Sequence, residues 1–217
     1  MSVAVPVQAE SRNCTFPNKI SRIFLLALND VLGDNNMLAV LNTARLPRLV
    51  EEFPPANFEP GLTFEEVVDL FEALESIYGQ RGGRKVAHQA GQACFKYGIE
   101  GFGGLIGFAD FFLRILPVGM RVRIGLEVLR EIFNRYSDQH IAVGEGESAY
   151  VFVSEQCGMC WQRHADGPVC ALMAGLLEET LYWISRGQRF AIEETACIAR
   201  GDPNCTFYIQ KTPTSSQ

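Results

Sequence analysis

The chain has 217 residues, of which 47% are hydrophobic and 20% are charged, a composition typical of a folded globular protein. Its length suits one sizeable core, or one domain with an N-terminal extension. The formal net charge of -6 argues against a general nucleic-acid binder, which would need a basic face, so we expect no nucleic-acid partner.

The N-terminus lacks the pattern of a secretory signal. The first sixteen residues are interrupted by Pro6, Glu10, Arg12 and Asn13, so no basic start is followed by an unbroken apolar stretch. We therefore expect a cytoplasmic protein whose thiols stay reduced. In that compartment a disulfide framework is the less favoured use of its cysteines.

The N-terminal half is predicted to be helical. Residues 17–32 repeat apolar side chains with the period of an α-helix, at Ile20, Ile23, Phe24, Ala27 and Val31. Leu25 and Leu26 lie off that face, which leaves two interpretations open: a second neighbour within the chain, or a dimer contact. Residues 47–61 contain four prolines and are predicted to form a loop.

A second helix is predicted to begin at Thr63, where Thr63 and Glu66 form a capping box. Gly82 and Gly83 are then predicted to break the chain. The helix after this break is rich in Ala and Gly, so another helix or a flat ligand can approach its backbone closely. An amphipathic helix is predicted over 121–136.

Between these helices, residues 101–120 form a long apolar segment. The segment carries two charges and a proline, Asp110, Arg114 and Pro117. Because charges are expensive inside lipid, we interpret it as a buried or groove-lining helix. Contact with a membrane surface, without spanning it, is the alternative.

The second half is predicted to mix strands with one helix. The elements are strands at 140–143 and 149–154, a loop at 155–167, a helix from 168 to about 185, and strands at 189–199 and 205–210. The order indicates an α+β fold, with N-terminal helices followed by an antiparallel β-β-α-β-β sheet that packs on helices.

Five of the seven cysteines lie after residue 156, together with a carboxylate at a suitable spacing. Cys170 lies at a helix start, where a thiolate is stabilised, and Glu194, Cys197 and Cys205 follow on the last two strands. Three sulfurs and one carboxylate suit a closed tetrahedral Zn²⁺ site. Residues three apart on a strand point to opposite faces, so Glu194 and Cys197 can share a metal only if the strand has a bulge or ends early.

Cys157 and Cys160 form a C-x-x-C pair, a common half-site for zinc or for an iron–sulfur cluster. With Cys170, and with Cys197 or Cys205, they would make a four-sulfur site. Alternatively, several of these cysteines are buried thiols without a metal. The residues themselves do not rank these alternatives.

Residues 170–209 resemble the 4-vinyl reductase domain family. The resemblance is carried by CALMAGLLEETL from Cys170 and by IEETACIARGDPNCTFYI from Ile192. The domain is named for a bacteriochlorophyll-biosynthesis protein. It also forms the sensor half of bacterial regulators of aromatic compounds, and its fold is shared with vesicle-tethering subunits of the TRAPP type. The N-terminal helices are more similar to members from phototrophic bacteria.

The resemblance implies a zinc site at Cys170, Glu194, Cys197 and Cys205, with Cys157 and Cys160 as alternative ligands. It also implies a pocket for a hydrophobic or flat aromatic ligand, such as a tetrapyrrole, in a protein linked to photosynthetic pigment or photosystem biogenesis. Four aromatic residues are the expected ligand contacts: Phe108, Phe112, Trp161 and Trp183.

The expected organisation has four parts. Residues 1–16 form a flexible N-terminus, and 17–61 a helical extension that could contact a second copy in a homodimer. Residues 62–210 form the 4-vinyl reductase-like ligand-binding domain, and 211–217 a flexible tail.

Two other functions compete with a binding module. One is reduction of a chlorophyll-precursor vinyl group. No nicotinamide or flavin motif occurs, so an iron–sulfur cluster would have to supply the electrons. We assign no catalytic residue and favour a non-enzyme. The other is a dimeric scaffold for photosynthetic assembly proteins.

Overall fold

The computed structural model describes residues 13–113 and 115–214, with the side chains of all of these except 104–113. The helices in these ranges are α1 Asn18–Leu32, α2 Asp34–Thr43, α3 Arg48–Glu51, α4 Phe64–Leu113, α5 Val118–Tyr136 and α6 Ala171–Ser185. The strands are β1 Thr15–Pro17, β2 Pro60–Thr63, β3 His140–Glu145, β4 Ala149–Gln156, β5 Phe190–Ala196 and β6 Cys205–Pro213. A short 3-10 helix lies at Ile198–Arg200.

The second half confirms the predicted α+β order. Strands β3 to β6 form an antiparallel sheet in the order β3-β4-β6-β5, and α6 connects β4 to β5. The core of the sheet includes Phe152 opposite Phe207, both buried. Since β4 and β6 are antiparallel, Ser154 near the end of β4 pairs with Cys205 at the start of β6.

The capping box at the start of α4 is present as predicted. The Thr63 N–H donates to Glu66 Oε2 at 3.0 Å, and the Glu66 N–H donates to Thr63 Oγ1 at 3.1 Å. Each side chain thus satisfies a backbone donor that the first turn of the helix leaves without a partner.

The predicted break at Gly82 and Gly83 is wrong. The chain bends at Gly79, whose φ of 72° lies in the region that glycine adopts without strain. Gly83 has another use: a Cβ there would lie 2.8 Å from the Glu75 backbone nitrogen. The sequence showed adjacent glycines, but only the packed structure shows which one bends the chain.

The segment before Thr63 is more structured than predicted. The predicted loop at 47–61 contains α3 and the start of β2, and β2 pairs with β1. Helix α2 was not predicted, because its apolar residues are few and scattered. Leu25 is fully buried within the chain, so an intramolecular neighbour accounts for its position off the main apolar face.

Helices α4 and α6 cross with their backbones in contact. A Cβ on Gly91 would lie 2.0 Å from the Leu172 carbonyl oxygen, and a Cβ on Gly175 would lie 2.0 Å from the His88 carbonyl oxygen. The Ala- and Gly-rich helix therefore receives another helix, which holds the start of α6 in place.

Among the described residues, no helix combines the length and the apolar character needed to cross a membrane. Arg114 and the side chains of the apolar residues 104–113 lie outside the described set. The described backbone continues as helix up to Leu113.

Candidate metal centre and apolar cavity

Five cysteines meet at one end of the sheet. Cys157 and Cys160 follow the end of β4, Cys197 follows the end of β5, Cys205 begins β6, and Cys170 is the N-cap residue of α6. All five are buried, and none of them is in a disulfide. The antiparallel order explains the convergence, because the end of β4, the end of β5 and the start of β6 share one edge of the sheet.

The sulfur atoms are in mutual contact. Sγ of Cys157 lies 3.5 Å from Sγ of Cys170, and Sγ of Cys205 lies 3.3 Å from Cys160, 3.6 Å from Cys170 and 4.0 Å from Cys197. Four sulfurs around one zinc ion with bonds of about 2.3 Å would lie about 3.8 Å apart. The separations therefore suit shared metal ligands.

Glu194 reaches the same centre because β5 is irregular where the sequence required it. The pairing of β5 with β6 shifts between Glu194 and Ala196, and the strand ends at Ala196, before Cys197. Glu194 Oε2 accepts the N–H of Cys170 at 3.0 Å. Its other oxygen, Oε1, is buried without a hydrogen-bond partner among the described residues.

These residues divide into two groups that could each hold one ion. One consists of Cys157, Cys160, Cys170 and Cys205, and the other of Cys170, Glu194, Cys197 and Cys205. Within each group, the ligand atoms lie within 4.8 Å of one another. The two alternatives left open by the sequence therefore occupy adjoining positions and share two cysteines.

The charges of the centre conflict when no cation is bound. Burial, and next the nearby Cys197 thiol, raise the pKa of Glu194 to about 8. A hydrogen bond from Cys160 lowers the pKa of the Cys197 thiol. The helix N-terminus favours a thiolate at Cys170, but contact with Cys157 outweighs it and raises the pKa of the Cys170 thiol. A divalent cation would resolve the conflict, since its ligands bind in their ionised form.

The loop that carries C-G-M-C is anchored from two sides. The Arg163 guanidinium is buried and donates to Glu75 on α4 at 3.0 Å. The Ala165 N–H donates to the Ala199 carbonyl at 2.9 Å. These contacts fix the loop between α4 and the turn after β5, which limits the freedom of Cys157 and Cys160.

An apolar cavity of about 160 Å³ lies beside the metal centre. Its walls come from four helices, with Phe24 on α1, Cys94 on α4, Leu129 on α5 and Leu176 on α6 among the lining residues. Burial raises the pKa of the Cys94 thiol to about 12. The lining is thus almost wholly apolar and carries no charge among the described residues.

The four predicted ligand contacts have different positions. Trp183 lines the cavity and packs against Phe95, with ring centroids 5.6 Å apart. Trp161 packs edge-on against Phe64 at 5.6 Å and is not among the described lining residues. Phe108 and Phe112 belong to the stretch whose side chains are not described.

Sequence reasoning missed Met159, the residue that connects the cavity with the metal centre. Met159 lies between Gly158 and Cys160, is 2% exposed and lines the cavity. A Cβ on Gly158 would lie 2.6 Å from the ring of Phe16, so the loop packs tightly on the cavity wall. The signal was an apolar residue inside C-x-x-C, where a polar residue would suffice in an exposed loop.

The fold is that of the H-NOX proteins. The chain superposes on the Fe(II) unliganded H-NOX protein from K. algicida with a TM-score of 0.55 and 14% identity, covering 92% of this chain and 97% of that one. The S. oneidensis H-NOX in its Fe(II)NO ligation state gives 0.52 and 15%, covering 90% and 99%. A Cs H-NOX mutant gives 0.55 and 13%, covering 93% and 100%.

The family resemblance is confirmed at the C-terminal end. Residues 151–211 match the family model of the 4-vinyl reductase (4VR) domain, so this part of the chain is consistent with a member of the 4-vinyl reductase family. The match runs from β4 through the cysteine loop and α6 to β6. No match was found among curated proteins.

Proposed function

We propose that this protein is a small-molecule-binding module that holds a hydrophobic ligand beside a structural zinc centre. The observation that carries the proposal is the apolar cavity among α1, α4, α5 and α6, with Met159 of the cysteine loop in its wall. A pre-formed apolar cavity bounded by several elements is the usual form of a ligand site.

The volume of the cavity favours a compact ligand. At about 160 Å³ it is close to an engineered cavity of about 150 Å³ that binds benzene in another protein. A single aromatic ring or a short hydrocarbon would fill it. With so few polar atoms in the lining, the ligand's own polar groups would have to face the cavity mouth.

A tetrapyrrole is the second candidate. It is favoured by the fold shared with H-NOX proteins, whose structures are described in Fe(II) states, and by the 4-vinyl reductase resemblance. It would need a wider cavity. Iron in a tetrapyrrole takes His, a Cys thiolate, Met or Tyr as axial ligands. The described lining offers Met159, Met173 and the protonated Cys94, but neither His nor Tyr, which favours a tetrapyrrole without iron.

For the metal, the donor set favours zinc. An iron–sulfur cluster spreads its cysteines over two or more iron atoms, whereas ligand atoms within 4.8 Å of one another suit single ions. A closed set of four ligands leaves no position for substrate, which supports a structural role over vinyl-group reduction. The proposed link to photosynthetic pigment or photosystem biogenesis, and the proposed homodimer, rest on the resemblance alone.

The test is a titration with toluene, naphthalene and protoporphyrin IX, followed by calorimetry and tryptophan fluorescence. We expect toluene or naphthalene to bind. The Gly98→Leu variant, which adds a side chain at an open position in the cavity lining, should abolish binding, whereas Gly103→Leu, at an open position outside the lining, should not. Binding of protoporphyrin IX alone would favour the second candidate, and binding of none of the three would contradict the proposal.

A further inference from the structure

We propose that the cysteine centre holds two divalent metal ions, bridged by the thiolates of Cys170 and Cys205. The inference rests on the proposed zinc centre and deepens it from one ion to two. Its basis is that the two candidate groups of four ligands overlap in these two residues. Six side chains then supply two complete sets of four.

The contacts of the two shared cysteines point to bridges. Sγ of Cys205 lies 3.3 Å from Cys160 of one group and 4.0 Å from Cys197 of the other. Cys170 contacts Cys157 at 3.5 Å through its sulfur and Glu194 at 3.0 Å through its N–H. Cys170 and Cys205 themselves are 3.6 Å apart. Two tetrahedra that share this edge use every sulfur at a separation suitable for one metal.

A single ion would leave buried acids without a metal. An ion bound by Cys157, Cys160, Cys170 and Cys205 leaves Cys197 and Glu194 unused. An ion in the other group leaves Cys157 and Cys160 unused. Unpaired buried acids are costly, because each one must either stay protonated or carry an uncompensated charge.

The second ion completes the centre without adding charge. One divalent ion with four ionised ligands has a net charge of minus two. A second ion brings two positive charges, and its two additional ligands each release a proton to solvent and bring one negative charge. The net charge stays at minus two, and the six ligands of the two groups are all used. No oxidation or reduction is involved.

The carboxylate of Glu194 gives independent support. Its Oε1 is buried with no hydrogen-bond partner among the described residues, although Oε2 is satisfied by the Cys170 N–H. A buried carboxylate oxygen without a partner is uncommon in folded proteins. A cation at this atom would satisfy it.

The first test measures metal content in the intact 217-residue chain saturated with Zn²⁺. We expect two zinc ions per chain by native mass spectrometry and by elemental analysis. One ion per chain would overturn the bridged pair and leave the proposed zinc centre standing. No bound ion would overturn both.

Paired variants show whether the two groups are separate sites with shared bridges. Cys157→Ser with Cys160→Ser, and Glu194→Gln with Cys197→Ser, should each lower the content from two ions to one. Cys94→Ala removes a buried thiol outside the centre and should keep two. Two ions in either paired variant would overturn the assignment. Should the variants fail to fold, ¹¹³Cd NMR of the wild-type chain decides: two thiolate-range resonances support the pair, and one resonance overturns it.

Discussion

At the scale of single residues, Glu194 shows how the surroundings decide the chemistry of a side chain. Its carboxyl is placed by the irregular end of β5 and held by the Cys170 N–H. Burial raises its pKa to about 8 from an ordinary value of 4.5. In the metal-free protein, Glu194 is therefore neutral over a range in which an exposed glutamate is ionised.

The metal-free protein should lose stability as the pH rises. Because the folded state favours the protonated carboxyl, the contribution of Glu194 is full below about pH 4.5 and is lost as the pH rises through about 8. Urea unfolding between pH 4.5 and 8 should show a decline in wild type that is reduced in Glu194→Gln. The exposed neighbour provides the control, Glu193→Gln, which should decline like wild type. Equal slopes in wild type and Glu194→Gln would contradict the prediction.

The candidate ligands could be named from the sequence because their identities and spacing carry the chemistry. Cys170, Glu194, Cys197 and Cys205, with the pair Cys157 and Cys160, all reach one centre. The sequence also showed that Glu194 and Cys197 need a bulge or an early strand end, and both occur. It could not show that the two candidate sets share Cys170 and Cys205, because this depends on distances between three strands and a helix.

At the scale of elements, the crossing of α4 and α6 decides where the centre lies. Gly91 and Gly175 let the two backbones touch, and this contact fixes the start of α6, where Cys170 lies. The Ala and Gly content indicated a close approach but not its partner. The misplaced helix break has the same cause, since Gly79 and Gly83 differ in packing and not in identity.

Adding one methyl group at this crossing should be strongly destabilising. Gly91→Ala and Gly175→Ala would each place a Cβ 2.0 Å from a carbonyl oxygen of the other helix, and we expect a loss of about 2 kcal/mol or more in the free energy of unfolding. Gly98→Ala lies on the same helix with nothing within 4 Å. It should be stabilising by about 0.5–1 kcal/mol, because Ala favours a helix over Gly. Thermal and urea unfolding of the three variants measure these changes, and equal stability at all three positions would contradict the account.

At the scale of the whole molecule, the cavity and the metal centre share one loop. Met159 faces the cavity while the cysteines on either side, Cys157 and Cys160, face the metal centre. Gly158 packs against Phe16, which belongs to β1 in the N-terminal segment. The loop can keep Met159 in the cavity wall only while its cysteines are held.

Removal of the metal should therefore weaken ligand binding. In protein stripped by a chelator, we expect the Kd for naphthalene to rise severalfold, because the loop loses its ligands and Met159 loses its fixed position. Calorimetry with and without Zn²⁺ measures the change, and circular dichroism checks that the stripped protein stays folded. Met159→Leu, a swap that nearly conserves volume, should bind like wild type in the zinc-loaded state. An unchanged Kd in folded, metal-free protein would show that the two sites are independent.

Residue order alone was enough to predict the α+β arrangement, the capping box at Thr63, the resemblance to the 4-vinyl reductase family and the identities of the metal-ligand candidates. These properties depend on local periodicity and residue type, which the chain carries directly. Packing in three dimensions was needed to show that the two candidate ligand sets overlap, that Trp183 and not Trp161 lines the described cavity, and that Met159 connects cavity and metal centre. Those facts arise from residues far apart in the chain, whose distances are set by how the helices and strands pack.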